Sequence, residues 1–395
     1  MSKMILLSFL LTNLAYANFN FSKDLTFNPI QIDDIEKKID LYFHEHEQFP
    51  DSINVNNFDL AIDYTENEKL TKYVKKILRR YRSDYASVVV IDNKTSKIIT
   101  AVDYTRSTKK FGLGLSLAST HPAASVYKIV TAASLFETDR VDEKTKFSYN
   151  GKSTTLYKYQ LKNRRNRWTR SIDFKRAFAL SNNVIFGKAA HKYLDHNELR
   201  EMSERFGFYQ NDLVPLLPMG TSKILEGESD FELAELASGF NKRTLITPYH
   251  GAVMASIIAN DGVLQTPNYI ERIYHKEFEH EVWKAPSIFS RVMSKESAES
   301  LQHLMEFTVD RGTARSAFRR WRHKDILIGG KTGSLTGGEP YGKRDWFVSY
   351  SRGKDGEKGI SVSIMITNVK KWYIKSTYFA KMIYDYYYRE IDEGK

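Results

Sequence analysis

The β-rich segments of this chain lie at its opposite ends. Near the start, ASVVVIDNKTSKIITAVDY (residues 86–104) places two β-rich runs on either side of Asp92-Asn93-Lys94, a hairpin signal. Near the end, GISVSIMITNV (359–369) alternates, with Ile360, Val362, Ile364 and Ile366 on one face, the pattern of a half-buried strand. Between them the strong patterns are helical: 123–137, 173–194 and 231–260, the last broken near Gly239 and Pro248. Two further amphipathic stretches flank the β segments. Glu66 to Tyr81 carries Leu70, Tyr73, Val74, Ile77 and Leu78 at helical spacing, and Lys375 to Tyr387 carries Phe379, Met382, Ile383 and Tyr386. Strands at both ends with helices between them predict an α/β chain of the α+β kind. An antiparallel sheet closes from the two ends, flanked by helices, and the middle forms an all-helical subdomain.

The N-terminus reads as a targeting segment. Lys3, a short apolar run from Met4 to Leu11 and Ala15-Tyr16-Ala17 match a signal peptide, with cleavage after Ala17. The expected division is 1–17 signal, 18–57 N-terminal extension and 58–392 main domain. The protein is expected to be exported to a periplasmic or other extracytoplasmic space, with no membrane span after cleavage. The sequence has no cysteine, which excludes disulfides, cysteine-based metal sites and a cysteine nucleophile. A formal charge of +11 allows nucleic acid, an anionic surface or an anionic polymer as partner. Export argues against nucleic acid. The densest basic run, Lys162 to Arg170, reads as a solvated loop or as a guide for an acidic envelope polymer.

The segment IGGKTGSLTGG (328–338) invites a nucleotide reading, which fails. The phosphate loop G-x-x-x-x-G-K-[ST] needs glycine at 325, where this chain has Asp325, and the residues after Thr332 are too rich in Gly to open a helix. His44-Glu45-His46-Glu47 fails as a metal box because position 48 is Gln48, and it reads as an exposed helix face. No metal or organic cofactor is called for.

Lys-Thr-Gly has another context, the third motif of serine acyltransferases, which requires two earlier motifs. S-x-x-K occurs at Ser107, Ser125 and Ser351. Ser107 falls in a polar loop and Ser351 in Ser-Arg-Gly-Lys-Asp-Gly, read as a turn, so only Ser125 opens an apolar helix, with Lys128 on the same face. S-x-N occurs at Ser52, Ser148 and Ser181. Only Ser181-Asn182-Asn183 precedes a helical run.

With these three motifs in order, the chain resembles the transpeptidase domain of penicillin-binding proteins, most closely that of the bifunctional high-molecular-weight class. Further blocks carry the likeness: Val89-Val90-Ile91-Asp92, Pro122 to Lys128, Leu180 to Val184, Glu232-Leu233-Ala234, Thr247-Pro248, Gly312-Thr313-Ala314 and Asp345-Trp346-Phe347-Val348. The likeness spans roughly 58–390. It departs in lacking a glycosyltransferase domain and a membrane anchor, and in Ser349, where glycine is usual.

The resemblance implies the penicillin-binding and serine β-lactamase fold. It implies Ser125 as nucleophile, Lys128 as a neutral base favoured by burial and by Lys331, and Ser181 as a proton relay between the two lysines. Asn183 holds the substrate amide, Lys331 and Thr332 its terminal carboxylate. Gly333 lies in the substrate-binding strand, where the glycines admit substrate along the edge, and Ser334 N–H joins Ser125 N–H in an oxyanion hole. Peptidoglycan stem peptides ending in D-Ala-D-Ala and β-lactams are the expected partners, with a separate glycan polymerase as a further one. Trp346 and Phe347 are expected in the core. The rival readings are a serine β-lactamase using Glu226 or Glu228, an inert peptidoglycan-binding or antibiotic-sensing domain, and a hydrolase built on Gly114-Leu115-Ser116-Leu117-Ala118.

Overall fold

The computed structural model describes residues 30–392, so the expected signal peptide lies outside the described residues. In chain order the elements that matter are α1 (Ile32–His46), β1 (Ser52–Val55), β2 (Phe58–Tyr64), α2 (Glu68–Tyr81), β3 (Tyr85–Asp92), β4 (Ile98–Thr105) and β5 (Lys110–Gly112). The helical middle contributes α3 (Lys128–Glu137), α4 (Phe174–Ala179), α5 (Asn183–Tyr193), α6 (Asp230–Ser238) and α7 (Pro248–Ala259). The chain returns through β6 (Ile270–His275), β7 (Glu281–Lys284), α8 (Lys295–Arg311), β8 (Ile326–Gly337), β9 (Gly342–Gly353), β10 (Lys358–Asn368) and α9 (Ser376–Tyr387).

The main sheet runs β8-β9-β10-β3-β4-β5, antiparallel throughout. Its centre is the pairing of β10 with β3, Ile364 opposite Val88, which joins the two ends of the chain as the sequence predicts. The Asp92 turn forms because its carboxylate accepts the Lys94 and Thr95 N–H groups at 2.8 and 3.2 Å. Helices cover both faces. Val88, Val90, Phe347, Val362 and Ile364 pack with α2 and α9, and Val89, Ile91, Trp346 and Val348 face the larger core that includes α7 and α8.

One expectation changes here. β10 is buried on both faces. The alternation marks two kinds of neighbour, not core and solvent. Ser361, Ser363 and Thr367, on the face opposite the isoleucines, are small enough to let the wholly buried helix α7 lie against them. The predicted 123–137 helix starts as a 3₁₀ turn at Ala124–Tyr127, and the helical 173–194 pattern is split into α4 and α5.

α2 shows how local sequence supports the packing. Asn67 caps it by accepting Leu70 N–H at 3.0 Å, a bond worth about 1 kcal/mol. Leu70, Val74, Ile77 and Leu78 are buried, each contributing roughly 1.5–3 kcal/mol. A second sheet, β1-β2-β6-β7, pairs residues 52–64 with 270–284 and shares a small core with Ile35 and Ile39 of α1. Its β1–β2 turn is Asn56-Asn57, both at positive φ, and the expected 57/58 boundary falls inside this hairpin, where Val55 pairs with Phe58. His44 and His46 are exposed on α1, as a surface helix face requires.

Candidate active site

The nucleophile candidate is held by backbone more than by side chains. Ser125 sits in the 3₁₀ turn, where residues three apart eclipse one another, and this places Lys128 Nζ 2.9 Å from Ser125 Oγ. Ala124, just before it, has φ of 49°, a region that L-residues rarely occupy. The surroundings impose it. Trp346 Nε1 donates to Pro122 O at 3.0 Å, and Ala123 N donates to Thr244 O at 2.9 Å. From the other side Gly239, which ends α6 at φ +63°, lies so close that a Cβ there would meet Ala124 O at 1.9 Å. Only glycine fits.

Lys128 is fully buried, without a carboxylate partner. Its amine has three neighbours: Ser125 Oγ, Asn183 Oδ1 at 2.7 Å and the Ser238 carbonyl at the end of α6. The Asn183 orientation follows from its Nδ2, which donates to Thr154 O at 3.0 Å. Two neighbours therefore only accept, while the third can donate. A neutral amine has two N–H groups and one lone pair, and this set matches it: the N–H groups go to Asn183 and Ser238, the lone pair to the Ser125 hydroxyl. Burial first, and the nearby Lys331 cation second, push the Lys128 pKa well down.

Lys331, in edge strand β8, is also fully buried, and burial lowers its pKa to about 7. Its Nζ donates to Ser181 Oγ and to Thr332 O, both at 2.9 Å. Ser181 lies in the α4–α5 break at φ 54°, and Asn182 caps α5 by accepting Ile185 N–H at 3.1 Å. The sequence placed Ser181 between both lysines. The structure puts its hydroxyl on Lys331, because the three sites of the Lys128 amine are taken. Thr332 Oγ1 meets Thr313 Oγ1 at 2.6 Å.

Ser125, Ser181, Asn183, Thr332, Gly333 and Ser334 line one cleft of about 280 Å³. The two lysines lie beneath it, reached through Ser125 and Ser181. Sequence reading missed Thr313, Thr154, Phe240, Trp372 and Lys375, which also line it or its rim, and the Ser238 carbonyl and Gly239. Thr313 had a signal, since Gly312-Thr313-Ala314 is part of the resemblance. The carbonyl had none.

Gly329 and Gly330, before Lys331, also have a packing reason that the sequence reading did not supply. β8 is the sheet edge, but a Cβ at Gly330 would meet the Phe347 ring at 2.5 Å, and one at Gly329 the Tyr350 ring at 2.4 Å. They make room for aromatic rings of β9. Trp346 and Phe347 are buried in the core as expected.

The alternative motif matches lie elsewhere. Ser351 is no turn residue: it is buried in β9, and its Oγ donates to Ile360 O at 3.2 Å. The turn comes later, at Gly353 to Gly356. Ser116 is buried with its hydroxyl on Asp103, away from any cleft wall described above. Glu226 is exposed, accepting from Tyr209 at 3.1 Å and facing Arg200 at 3.6 Å, and does not line the Ser125 cleft. Among the described residues no helix is long and apolar enough to cross a membrane.

Comparison with known proteins agrees with this geometry. The family model for the penicillin binding protein transpeptidase domain matches residues 86–385. No curated protein matches the sequence. Among solved structures, the chain is similar to the D,D-transpeptidase domain of a peptidoglycan glycosyltransferase from Eggerthella lenta, at TM-score 0.64 and 21% identity, covering 82% of each chain. It is similar to penicillin-binding protein 3 from Mycobacterium tuberculosis complexed with aztreonam, at TM-score 0.70 and 18% identity, covering 84% of this chain and 79% of that one. A third is the ceftriaxone acyl-enzyme of penicillin-binding protein A from M. tuberculosis, at TM-score 0.65 and 16% identity, covering 82% and 79%.

Proposed function

Since the chain belongs to the penicillin-binding protein transpeptidase family, we propose that it is a serine acyltransferase acting on D-Ala-D-Ala stem peptides of peptidoglycan, and that β-lactams acylate the same serine. The observation that carries this reading is the Lys128 amine, buried and bonded so that its lone pair faces Ser125.

In the first half-reaction the Ser125 proton passes to Lys128 Nζ as Oγ bonds to the penultimate D-Ala carbonyl carbon. The N–H groups of Ser125 and Ser334 receive the oxyanion. The C–N bond to the terminal D-Ala then breaks. Ser181 gives the leaving amine a proton and is reprotonated by Lys331, which burial has made a weaker base than an ordinary lysine. Thr332 and Thr313, with the Lys331 charge, suit the terminal carboxylate. Asn183 has its carbonyl on Lys128 and one amide hydrogen on Thr154, so its second hydrogen serves the substrate. The acyl-enzyme ends by reaction with a stem-peptide amine (transpeptidase) or water (carboxypeptidase). Likeness to the cross-linking class supports the first.

The same reading includes export through the N-terminal signal, a mature chain starting at Asn18, and a partner glycan polymerase. N-terminal sequencing of secreted protein tests the first two, and co-purification after cross-linking tests the third. The mechanism is tested by intact mass during incubation with benzylpenicillin, beside Ser125→Ala. A stable adduct missing from the variant supports it. A short-lived adduct with rapid penicillin loss makes the chain a β-lactamase, and no adduct makes it an inert binding domain.

A further inference from the structure

The basic run does not hang free in solvent. Residues 162–169 belong to the connection between the two strands of a short hairpin, Lys146–Tyr149 paired with Arg170–Asp173, and are tied back to the start of that connection. Asn150 Nδ2 donates to Arg164 O at 2.7 Å, Thr169 Oγ1 donates to Asn150 Oδ1 at 2.8 Å, and Arg170 donates to Gly151 O at 2.6 Å. Between this loop, the hairpin and α5 lies a second pocket of about 570 Å³. Lys146, Arg164, Arg165, Lys188 and Lys192 line it, and no carboxylate does. On its rim His191 faces Asp230 at 3.7 Å.

Lys188 is the telling residue. It is only 9% exposed, yet its bonds go to neutral groups, Ser148 O at 3.0 Å and Asn163 Oδ1 at 3.2 Å. An ammonium has three donors, so one remains for a ligand. A nearly buried cation among four others, with no anion supplied by the protein, is stabilised when an anion enters from outside. A carboxylate brings one charge, whereas a terminal phosphate brings about −1.5 to −2 in one compact group with several acceptors, and a phosphodiester chain brings one charge at each of its successive phosphates. Arginine pairs fit such groups bidentately. The pocket lies on the helix that carries Asn183, with Lys188 about 7.5 Å further along its axis.

We infer that this pocket is a binding site for a phosphate-bearing anion, separate from the Ser125 cleft, formed by Arg164, Arg165 and Lys188. The phosphate comes either as a diphosphate or as a phosphodiester chain, and two probes separate these sources.

The test is calorimetric titration of the full chain at fixed salt with inorganic pyrophosphate, with a glycerol phosphate oligomer, and with polyglutamate of matched charge. The same titrations use Arg164→Ala/Arg165→Ala, exposed loop changes that leave the backbone bonds in place, and Lys188→Gln. At least one phosphate probe is expected to bind, at least 10-fold more weakly in both variants. Tighter pyrophosphate binding points to a diphosphate, and tighter oligomer binding to a phosphodiester chain. Absence of binding, equal binding by the double variant, or polyglutamate binding as tightly as phosphate would overturn the assignment. Penicillin labelling of the double variant is expected at the wild-type rate, and a fall in it would also count against a separate site. The binding result stands whether or not Ser125 proves to be the nucleophile.

Discussion

The Ser125 cleft and the basic pocket both bury lysine without a carboxylate, but they use it differently. Lys128 and Lys331 have no exposed surface, and each faces acceptors and hydroxyls inside the protein. Burial lowers both pKa values: Lys331 to about 7, and Lys128, which also feels the Lys331 cation, well down, so that in the proposed mechanism the Lys128 amine gives up its proton and serves as the base. Lys188 lies at the wall of an open pocket with other cations around it. Burial lowers its pKa too, but its amine donates to two neutral acceptors and an incoming anion would favour the charged form. What decides between chemistry and electrostatics is whether solvent or a ligand can reach the amine, and whether its partners suit a lone pair.

The largest effect should come from breaking the cleft side of this contrast. Ser125→Ala removes acylation. Lys128→Met is expected to slow acylation by penicillin about 10³-fold, the scale of a lost general base. Its melting temperature should stay level or rise, because the cost of stripping a buried lysine of its proton on folding is removed. Phosphate binding should be unaffected in both. Stopped-flow labelling and a thermal melt check this, and a Lys128→Met protein acylated at the normal rate would remove Lys128 as base.

Next comes Gly239→Ala. Its Cβ must displace the Ala124 carbonyl, and with it the turn that aims Ser125. A shift of about 1 Å in a nucleophile can cost 10²-fold. Acylation should fall by about that factor and the melting temperature with it. A variant that melts lower but labels normally would show that the turn is held by other contacts.

The pH behaviour sharpens the comparison further. Lys331 falls from 10.5 in the unfolded chain to about 7 in the fold. Between those values the unfolded state binds more protons, so stability rises with pH across that window, and below pH 7 the burial cost is present in full. Lys331→Met should flatten this rise in denaturant titrations between pH 7 and 9. It should also move the acid limb of the acylation profile to higher pH, since Lys128 then holds its proton more firmly without a neighbouring cation. An unmoved limb would show that burial alone sets Lys128.

How far these features can be read from sequence depends on which atoms carry them. In the proposed mechanism Ser125, Lys128, Ser181, Asn183 and Lys331 act through side chains set in short motifs, so the sequence exposes them. The Ser238 carbonyl and the strained Ala124 act through backbone, and any residue type could have supplied either. The sheet centre is legible because β3 and β4 are β-rich runs on either side of a turn signal and β10 alternates at period two. The long β8–β9 hairpin was not: its glycines and polar residues hide the period, and Ser351 was placed in a turn that begins two residues later. The second sheet escaped for another reason. β2 pairs with β6, some 200 residues on, although Asn56-Asn57 was a readable hairpin turn.

The smallest expected effect concerns Ser349, where the resemblance to penicillin-binding proteins leads one to expect glycine. In the structure Ser349 is buried opposite Gly330, and a Cβ at Gly330 would lie 3.0 Å from the Ser349 Cβ. Glycine on one strand thus leaves room for serine on the other. The Ser349 hydroxyl lies 2.9 Å from Tyr384 Oη, linking the sheet to α9 on the side away from Ser125. Ser349→Gly leaves the buried Tyr384 hydroxyl without this partner and loosens a central strand, each worth about 1 kcal/mol. Denaturant titration should show a loss of that order, while penicillin labelling and phosphate binding change less than two-fold. If labelling slowed markedly with stability little altered, the α9 side of the sheet would be setting the position of Lys331, and the cleft could no longer be treated as a unit held only by its own turn and by α6.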